Sequence, residues 1–300
     1  MEQLKDVQNQ IEQFIQEIDD QKSVELYNLL ASGKMLRSKL ILKIAGITEQ
    51  SIKLCAIVEM IHAASLLHDD VIDDATTRRG KPSINALFDN KTSIMFGDIL
   101  YSKAFTQLTT MPSQIAYNIS NAVTLLSVGE MLDVDLSKTF NNSYEKYLDM
   151  IDKKTASLIE ASAKSAALLA NKDSQCYSLY GKNLGLAFQM VDDILDITQD
   201  SDTLGKPAML DFVEGKVTIP YLLLWERLDT NDKQILENMY QKTLDDTQLS
   251  WIKEKMSQTN ALEDAIGLVN QFATTAMDAI KDENNDDLIN IMKAMCERTF

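Results

Sequence analysis

Residues that interrupt helices are scarce in this chain, and this scarcity constrains the fold more than any other feature. The 300 residues include only 4 prolines and 10 glycines, and the first proline is Pro82. Proline ends or kinks a helix and glycine weakens one, so long helices are favoured. Apolar residues also follow the 3.6-residue helical period at the start of the chain, at Leu4, Val7, Ile11, Phe14, Ile15 and Ile18.

The same period recurs along most of the sequence, whereas alternating strand patterns are nearly absent. We therefore predict an all-α, single-domain bundle of about ten to thirteen helices around a central cleft, covering residues 1–300. No segment has the composition of a flexible linker. Clusters of turn-forming residues predict the connecting loops, at 32–33, 80–83, 111–113, 141–143, 171–174, 205–207, 229–232 and 283–286.

Two segments, residues 52–72 and 184–197, are apolar on nearly every helical face. A helix that is apolar all round is typical of the centre of a protein, because no side of it suits water. We therefore expect these two segments to be central, buried helices. Each of them nevertheless carries a group of aspartates in its last turns, as Asp69, Asp70 and Asp73 in the first and Asp192, Asp193 and Asp196 in the second.

These two acidic clusters predict a metal site. Asp69 and Asp73 lie four residues apart, on one helical face, and like charges at this spacing weaken a helix by about 0.2–0.5 kcal/mol. Buried carboxylates without a partner are more costly still, so a cation is expected. Oxygen ligands favour Mg²⁺ or Mn²⁺, and Mg²⁺ commonly completes its shell with substrate phosphate. The alternative is that these aspartates lie at solvated helix ends. That alternative is weaker for two copies of the cluster than it would be for one.

Overall composition limits the other partners. With 29 basic and 45 acidic side chains, the net charge is −16, which disfavours nucleic acid and anionic lipid as general partners. The three cysteines are far apart, which predicts a reducing compartment without a disulfide framework. The polar N-terminus does not resemble a signal peptide, and no stretch predicts a transmembrane segment. We expect a cytoplasmic protein, with transient membrane-surface contact for product release as an option.

Basic residues follow the acidic clusters in the chain, and in so acidic a protein they indicate local anion binding. Taken singly, each is more typical of a solvated surface charge. The order in which they occur along the chain supports anion binding. They are Lys34 and Arg37, then Arg78, Arg79 and Lys81, then Lys153 and Lys154, then Lys206 and Lys216.

Read together, these motifs resemble the trans-prenyltransferase, or polyprenyl diphosphate synthase, family from residue 33 to 220, with a plausible continuation to 300. The motifs in family order are GKMLR at 33–37, EMIHAASLLHDDVIDD at 59–74, RRGKPSIN at 78–85, FGD at 96–98, KT at 154–155, FQMVDDILD at 188–196, LGKP at 204–207 and DFVEGKVTIP at 211–220. The N-terminal motif departs from the usual GGKRLRP, since one glycine and the proline are missing. Both of its cations, Lys34 and Arg37, keep their spacing.

The resemblance implies the isoprenoid synthase fold, an Mg²⁺-dependent condensation of isopentenyl diphosphate with an allylic diphosphate such as farnesyl diphosphate, and a homodimer. About three Mg²⁺ ions per site are implied when diphosphate is bound, with Mn²⁺ as an alternative, and all six aspartates are implied metal ligands. Arg78, Lys154, Lys206 and Lys216 would contact the allylic diphosphate. Lys34, Arg37, His62 and Arg79 would hold isopentenyl diphosphate. Thr155 and Gln189 would lie near the reacting carbons, beside Phe188; the catalytic set is Lys154, Thr155, Gln189, Asp69 and Asp192.

Product length is predicted from the first central helix. Ile61, Ser65 and Asp69 share one face, and Ile61 lies about 12 Å below Asp69 at 1.5 Å per residue. Short-chain relatives commonly carry aromatic residues at the positions of Ala64 and Ser65, whereas both are small here. Small residues also suit close helix packing, but we favour an open tunnel and a C30–C40 product, with octaprenyl preferred.

Four alternatives stay open at this point. A short-chain farnesyl or geranylgeranyl diphosphate synthase would differ only in product length. A non-catalytic subunit of a heteromeric synthase is disfavoured because both acidic and basic motifs are kept. A class I terpene cyclase is disfavoured because its second metal motif is normally of an Asn/Ser/Glu type, unlike the second aspartate cluster. A purely structural bundle leaves the buried carboxylates unexplained.

Overall fold

The structure is a computed structural model that describes residues 2–31, 33–199 and 209–297. The chain divides into two compact units: Met1–Val123 with Ala161–Ser178, and Thr124–Glu160 with Leu179–Phe300. Both units are helical, and within the described residues the strands form one short hairpin. The predicted all-α class is confirmed, although the helices outnumber the ten to thirteen expected because several are short. The prediction of one domain over residues 1–300 stays a prediction.

The first unit is built around one long helix. Its elements are α1 (Glu2–Gln16), α2 (Gln21–Leu29), α3 (Leu36–Ala45), α4 (Glu49–Ile72), β1 (Thr77–Arg78), β2 (Lys81–Pro82), α5 (Ile84–Leu87) and α6 (Asn90–Leu108). Helix α4 is the predicted central helix, and it packs against α1, α3 and α6. A capping box of Thr48 and Ser51 begins it, since both side chains satisfy backbone N–H groups of the first turn.

Helix α4 is also long and apolar enough to cross a membrane by length and composition alone. Most of its apolar side chains, among them Leu54, Ile57 and Ile61, are fully buried inside the first unit. A core helix of this kind passes the same test as a membrane helix, so the finding does not contradict the prediction that the chain has no transmembrane segment.

The strands β1 and β2 form a two-residue hairpin where the sequence predicts a loop at 80–83. Arg78 pairs with Lys81, so Arg79 and Gly80 occupy the turn. Both turn residues have positive φ, 52° and 74°, which is typical of a type I′ turn and matches strand twist. Alternating apolar residues are absent from so short a hairpin, and for that reason the sequence pattern does not reveal it.

The remaining elements lie wholly or partly in the second unit. They are α7 (Ser113–Leu136), α8 (Tyr144–Ile151), a π-helical segment (Asp152–Ala156), α9 (Ser157–Leu169), α10 (Ser174–Thr198), α11 (Leu210–Val213), α12 (Ile219–Arg227), α13 (Thr230–Met239), α14 (Asp246–Gln258), α15 (Ala261–Ala279), a 3₁₀ turn (Lys281–Glu283) and α16 (Asp286–Cys296). Helices α7, α9 and α10 also contribute residues to the first unit.

In the second unit, α12 packs against α8, α14 and α15, and α15 also packs against α16. Helix α10 is the second predicted central helix, and its core positions Leu184, Val191 and Ile194 are fully buried. The predicted loop at 229–232 is largely helical. Asp229 caps α13 by accepting from the Asp232 N–H, so the turn residues begin a helix there rather than connect two.

Candidate active site

The first acidic cluster lies at the end of α4, as predicted. Asp70 is buried, and Arg78 of β1 donates from Nε to its Oδ1 over 2.5 Å. Burial raises the pKa of Asp70, and the charge and hydrogen bond of Arg78 oppose that shift. Asp73 is exposed just past the helix end, whereas Asp69 is partly exposed. The cluster thus has one carboxylate engaged inside the protein and two that reach solvent.

The loop after α4 is tied down by side chains that bond to its backbone. Asn85 donates to the carbonyls of Asp70 and Ala75 at 3.1 and 3.0 Å, and Ser83 donates to the Ala75 carbonyl at 2.7 Å. These bonds fix the hairpin to the end of α4, so Arg78 is held beside Asp70. The RRGKPSIN motif therefore contributes support from Ser83 and Asn85 as well as its cations.

Three cations act on His62 in the first unit, about two helical turns before Asp69. The pKa of His62 lies well below 6.5, chiefly because of burial and further because of the charges of Arg37, Arg79 and Arg78. The imidazole is therefore neutral and within electrostatic range of three guanidinium groups. Together with Lys34, which is exposed, these are the residues predicted to hold one diphosphate, and the structure brings Arg37, His62 and Arg79 together.

Burial distinguishes Arg37 from an ordinary surface cation, whereas Arg79 is exposed. Burial lowers the pKa of Arg37 to about 10, against the opposing charge of Glu59. Among the described residues, no acceptor lies within hydrogen-bond reach of the buried Arg37 Nε. Arg79 donates to the Ala31 carbonyl over 3.3 Å, and a Cβ on Gly33 would lie 2.7 Å from its Nη1. Gly33 therefore leaves room for the guanidinium, so the altered N-terminal motif keeps this feature.

Glu59 is a residue of this group that the sequence reasoning missed. Its Oε1 accepts from the backbone N–H of Ser38 at 3.2 Å and from the Ser38 hydroxyl at 2.7 Å. Helix α3 has no side-chain cap of its own, so Glu59 satisfies one of its open N–H groups. It also supplies negative charge beside Arg37. An acidic residue in a strongly apolar helix was the available signal.

In the second unit, the KT motif lies in the π-helical segment Asp152–Ala156 rather than in a regular helix. Two glycines allow close approach of neighbouring helices. A Cβ on Gly129 of α7 would overlap the backbone of Lys154, and one on Gly185 of α10 would lie 2.5 Å from Ala156 Cα. Both helices therefore press on the segment through positions without side chains, and π turns are frequent at functional sites.

Lys154 is held by two buried carboxylates of α7. Its Nζ lies 2.8 Å from Glu130 Oε2 and 2.5 Å from Asp133 Oδ2. Glu130 and Asp133 are spaced i, i+3, so they face the same side of α7. The sequence reasoning missed both, although the preceding residues 113–129 of that helix carry no charge, which was a usable signal. The predicted catalytic lysine is thus fixed in direction by its partners.

Thr155 and Gln189, both predicted to lie near the reacting carbons, contact each other in the structure. Thr155 donates from Oγ1 to Gln189 Oε1 over 2.7 Å, and Gln189 Nε2 donates to Asp193 Oδ1 over 2.9 Å. The second oxygen of Asp193 accepts from the Tyr147 hydroxyl at 2.5 Å. Burial raises the pKa of Asp193 to about 8, helped by the charge of Asp211 and opposed by these hydrogen bonds. Tyr147 and Asp211 are further residues that the sequence reasoning missed.

The other members of the second cluster differ in exposure. Asp192 is partly exposed, whereas Asp196 is buried. Asp196 Oδ2 accepts from the backbone N–H of Asp211 at 3.2 Å, and the Asp196 carbonyl accepts from the Met209 N–H at 2.8 Å. These bonds fasten the start of α11 to the end of α10. The predicted DFVEGKVTIP motif therefore helps to hold the second cluster.

The remaining predicted residues are placed as follows. Lys216 lies 3.0 Å from Glu214 Oε2, in a loop that Tyr240 fastens through the Gly215 carbonyl. Phe188 precedes Gln189 on α10 and is partly buried. Lys206 and the LGKP motif lie outside the described residues. Ile61, Ala64 and Ser65 are buried in α4, and their role in product length stays a prediction.

The carboxylates of the two clusters suit an Mg²⁺ ion that takes part of its ligands from the substrate. Among the described residues, no three His, Cys, Asp or Glu side chains form a ready-made metal centre. Mg²⁺ does not need one, because it binds through one or two carboxylates and takes its other ligands from water and substrate phosphates. Asp69, Asp73 and Asp192 reach solvent and offer oxygen ligands. The cations around His62 suit a second anionic group.

Comparison with known proteins agrees with this chemistry. A sequence profile described as "Polyprenyl synthetase" matches residues 21–256. A prenyl transferase of Cyanidium caldarium is 35% identical over 287 residues, which cover 90% of this chain and 87% of that protein. The octaprenyl pyrophosphate synthase of Helicobacter pylori is 46% identical, with a TM-score of 0.94 and 99% of both chains covered.

A polyprenyl synthase of Caulobacter crescentus, solved with calcium and isoprenyl diphosphate, is 30% identical with a TM-score of 0.90, covering 99% of this chain and 95% of that one. The fold and these matches define a prenyltransferase with the isoprenoid synthase fold. More specifically, the chain belongs to the polyprenyl synthetase family of trans-prenyl diphosphate synthases. This family uses isoprenoid diphosphates and a divalent metal.

Proposed function

We propose that the chain is an Mg²⁺-dependent polyprenyl diphosphate synthase that adds isopentenyl diphosphate repeatedly to an allylic diphosphate such as farnesyl diphosphate. One observation carries the proposal: Arg78 pairs with Asp70 at the acidic end of α4, and the charges of Arg37, Arg79 and Arg78 all act on the neutral His62 in the same unit. A metal-bound diphosphate suits the carboxylates, and a second diphosphate suits the cations. A reaction between two diphosphate substrates needs a binding site for each of them.

The metal ligands are proposed from the carboxylates. All six aspartates stay predicted ligands, and exposure favours direct binding by Asp69, Asp73 and Asp192. The bound metal supplies Lewis acidity, which stabilises negative charge on the departing diphosphate. Arg78, Lys154, Lys216 and Lys206 are proposed to bind the same diphosphate. Arg78 and Lys154 are held in place by carboxylates, and cations held in this way require no reorganisation when charge develops.

The second substrate is assigned to Lys34, Arg37, His62 and Arg79. Because Arg37 is partly buried and its Nε is shielded from solvent, an incoming diphosphate gains charge-assisted hydrogen bonds there in a lower dielectric than water. The alkene of this substrate attacks the allylic carbon as the diphosphate leaves, and a proton is then lost to the released diphosphate. Thr155, Gln189 and Phe188 are proposed to orient the reacting carbons and to exclude water.

We propose a C30–C40 product, with octaprenyl diphosphate preferred. Two observations support this length. Ala64 and Ser65 are small, as the long-chain reading requires, and an octaprenyl pyrophosphate synthase is 46% identical along nearly the whole chain. A short-chain farnesyl or geranylgeranyl product is the second candidate, because Ala64 and Ser65 are buried against neighbouring side chains.

A cytoplasmic homodimer is proposed as the working form. Helix α7 exposes Val128, Met131 and Val134, with Met131 69% exposed. Large apolar side chains at i, i+3 and i+6 on one helix favour contact with another protein surface, and a second copy of this chain is the partner that the family resemblance implies. Light scattering of the purified protein measures this directly, and a monomeric mass would overturn the proposal.

The function is tested by mass analysis of products from the purified chain with Mg²⁺, farnesyl diphosphate and isopentenyl diphosphate. We expect C30–C40 diphosphates from this chain alone. Inactivity would favour a non-catalytic subunit, and a C15–C20 product would favour a short-chain enzyme.

Asp69→Ala is expected to lower turnover by about 10²–10³-fold with unchanged helical circular dichroism. Asp278→Ala, at an exposed position of α15, is the matched control. Near-normal turnover of Asp69→Ala would reject its assigned role.

A further inference from the structure

Three consecutive hydrogen bonds in the second unit connect four side chains from three elements. Tyr147 of α8 donates to Asp193 Oδ2 over 2.5 Å, and Gln189 donates to Asp193 Oδ1 over 2.9 Å, both acceptor atoms being on α10. Thr155 of the π-helical segment donates to Gln189 Oε1 over 2.7 Å. The chain of bonds therefore runs from a tyrosine to the threonine that is placed beside the reacting carbons.

The orientation of the Gln189 amide decides the direction of the bonds that it makes. Its side-chain NH₂ donates to Asp193 Oδ1, an oxygen that accepts both in the ionised group and in a neutral group that carries its proton on Oδ2. The carbonyl oxygen of Gln189 then faces Thr155, and that oxygen can only accept. The Thr155 hydroxyl must consequently donate its proton to Gln189 and present lone pairs in its other directions. An amide flipped the other way would place its Oε1 against the acceptor Asp193 Oδ1, and that hydrogen bond would be lost.

Tyr147 completes this arrangement from a buried position. Its ring is only 1% exposed, and Asp193 is only 3% exposed. A hydroxyl in such a place is costly unless it has a partner. By donating to Oδ2, Tyr147 fixes the carboxylate plane and leaves Oδ1 for Gln189. Without it, Asp193 would be a buried carboxylate with one supporting bond fewer, free to rotate away from Gln189.

We propose that Tyr147 and Asp193 are positioning residues that set the direction of the Thr155 hydroxyl through Gln189. This inference rests on the proposed function, since Thr155 is assigned to the reacting centre there. A hydroxyl whose proton is engaged offers only lone pairs to the substrate, which suits positive charge on an allylic carbon and keeps the amide from turning. Asp193 thereby has a role that does not require contact with metal.

The test compares Tyr147→Phe with Tyr180→Phe. Tyr180 is also a fully buried tyrosine in the second unit, and its hydroxyl donates to the Leu288 carbonyl at 2.7 Å, so both variants lose one buried hydrogen bond. We expect Tyr147→Phe to lower kcat about tenfold, with KM within about twofold. Tyr180→Phe is expected to keep both constants. Equal kinetics for the two variants would overturn the inference.

A second measurement needs no substrate. In protein labelled with ¹⁵N-glutamine, the side-chain NH₂ signals of Gln189 are assigned by their loss in Gln189→Met. We expect them to shift in Tyr147→Phe and to stay in place in Tyr180→Phe. Unmoved signals in Tyr147→Phe would overturn the inference that Tyr147 positions Gln189 through Asp193. Because this experiment does not depend on turnover, it distinguishes failure of that inference from failure of the proposed function.

Variants of Asp193 distinguish a positioning role of this residue from a role in metal binding. They also test the inference if Tyr147→Phe does not fold. An asparagine at 193 can accept from Gln189 with its oxygen and donate to the Tyr147 oxygen, whereas alanine can do neither. We expect Asp193→Asn to lose about tenfold less kcat than Asp193→Ala, with an unchanged Mg²⁺ dependence. Equal losses, with a higher Mg²⁺ requirement in both, would instead assign Asp193 to the metal.

Discussion

Gly185→Ala tests whether close packing on the π-helical segment sets the active geometry. The added Cβ would lie 2.5 Å from Ala156 Cα and 2.8 Å from Ala156 Cβ. The shorter distance is about 0.9 Å less than the 3.4 Å at which ordinary contact begins. Backbone atoms of a packed segment cannot turn aside as a flexible side chain can. Helix α10 and the segment must therefore separate by up to about 1 Å.

Two free-energy terms nearly offset each other in this variant. Overpacking costs about 1–3 kcal/mol, and replacing a mid-helix glycine with alanine returns about 1 kcal/mol. The free energy of unfolding should thus fall by only about 0–2 kcal/mol. Activity should respond far more, because Gln189 lies one turn beyond Gly185 and its bond to Thr155 would be stretched. A misplacement of about 1 Å can cost about 10²-fold in rate.

The assay measures kcat by product formation and the free energy of unfolding by urea denaturation. Gly267→Ala is the control, because Gly267 lies in α15 and nothing stands within 4 Å of its added Cβ. That variant should keep wild-type kcat and gain up to about 1 kcal/mol in unfolding free energy. Wild-type kcat in Gly185→Ala would refute the reasoning, whatever its stability.

Two further predictions concern the first unit. His62 should make the protein less stable in acid, because its pKa in the folded protein lies well below 6.5. Below pH 6.5 the unfolded chain binds a proton that the folded chain does not. The free energy of unfolding therefore falls by up to about 1.4 kcal/mol per pH unit. His62→Gln should therefore lose less stability between pH 7 and pH 5 in urea denaturation, and an identical loss would contradict this. Ala64→Phe should shorten the dominant product by at least one isoprene unit in mass analysis; an unchanged product would count against tunnel lining at this site.

Helices and the acidic clusters were predictable because their signals are local. Apolar faces located α4 and α10, and the aspartates at the ends of both helices were visible in the same windows. The order of residue types also indicated Lys154 and Thr155 as one motif, and both lie in the same π-helical segment. These features depend on neighbours within a turn or two, which is the range over which a helical pattern is informative.

The supporting residues were not predictable, because their partners are distant in sequence. Tyr147 lies 46 residues from Asp193, and no periodicity links an isolated tyrosine to a carboxylate that far away. Glu59 and Glu130 gave a signal as acidic residues on apolar helices, but that signal does not reveal their partners, since such a residue can equally be a solvated one. The π-helical turn adds a single residue, and a one-residue shift of the apolar pattern is hard to see beside a helix of only eight residues, α8.

That extra residue has a consequence for engineering and evolution alike. A π turn contains one residue more than an α turn, and each residue advances a helix by about 100°. Deleting any single position within Asp152–Ala156 would restore a regular helix, and local hydrogen bonding would improve. The same deletion would turn α9 by about 100° relative to α8, and a deletion at Asp152 or Lys153 would also turn Lys154 away from Glu130 and Asp133. We therefore expect a variant with this idealised backbone to lose activity even where the helix itself becomes more regular.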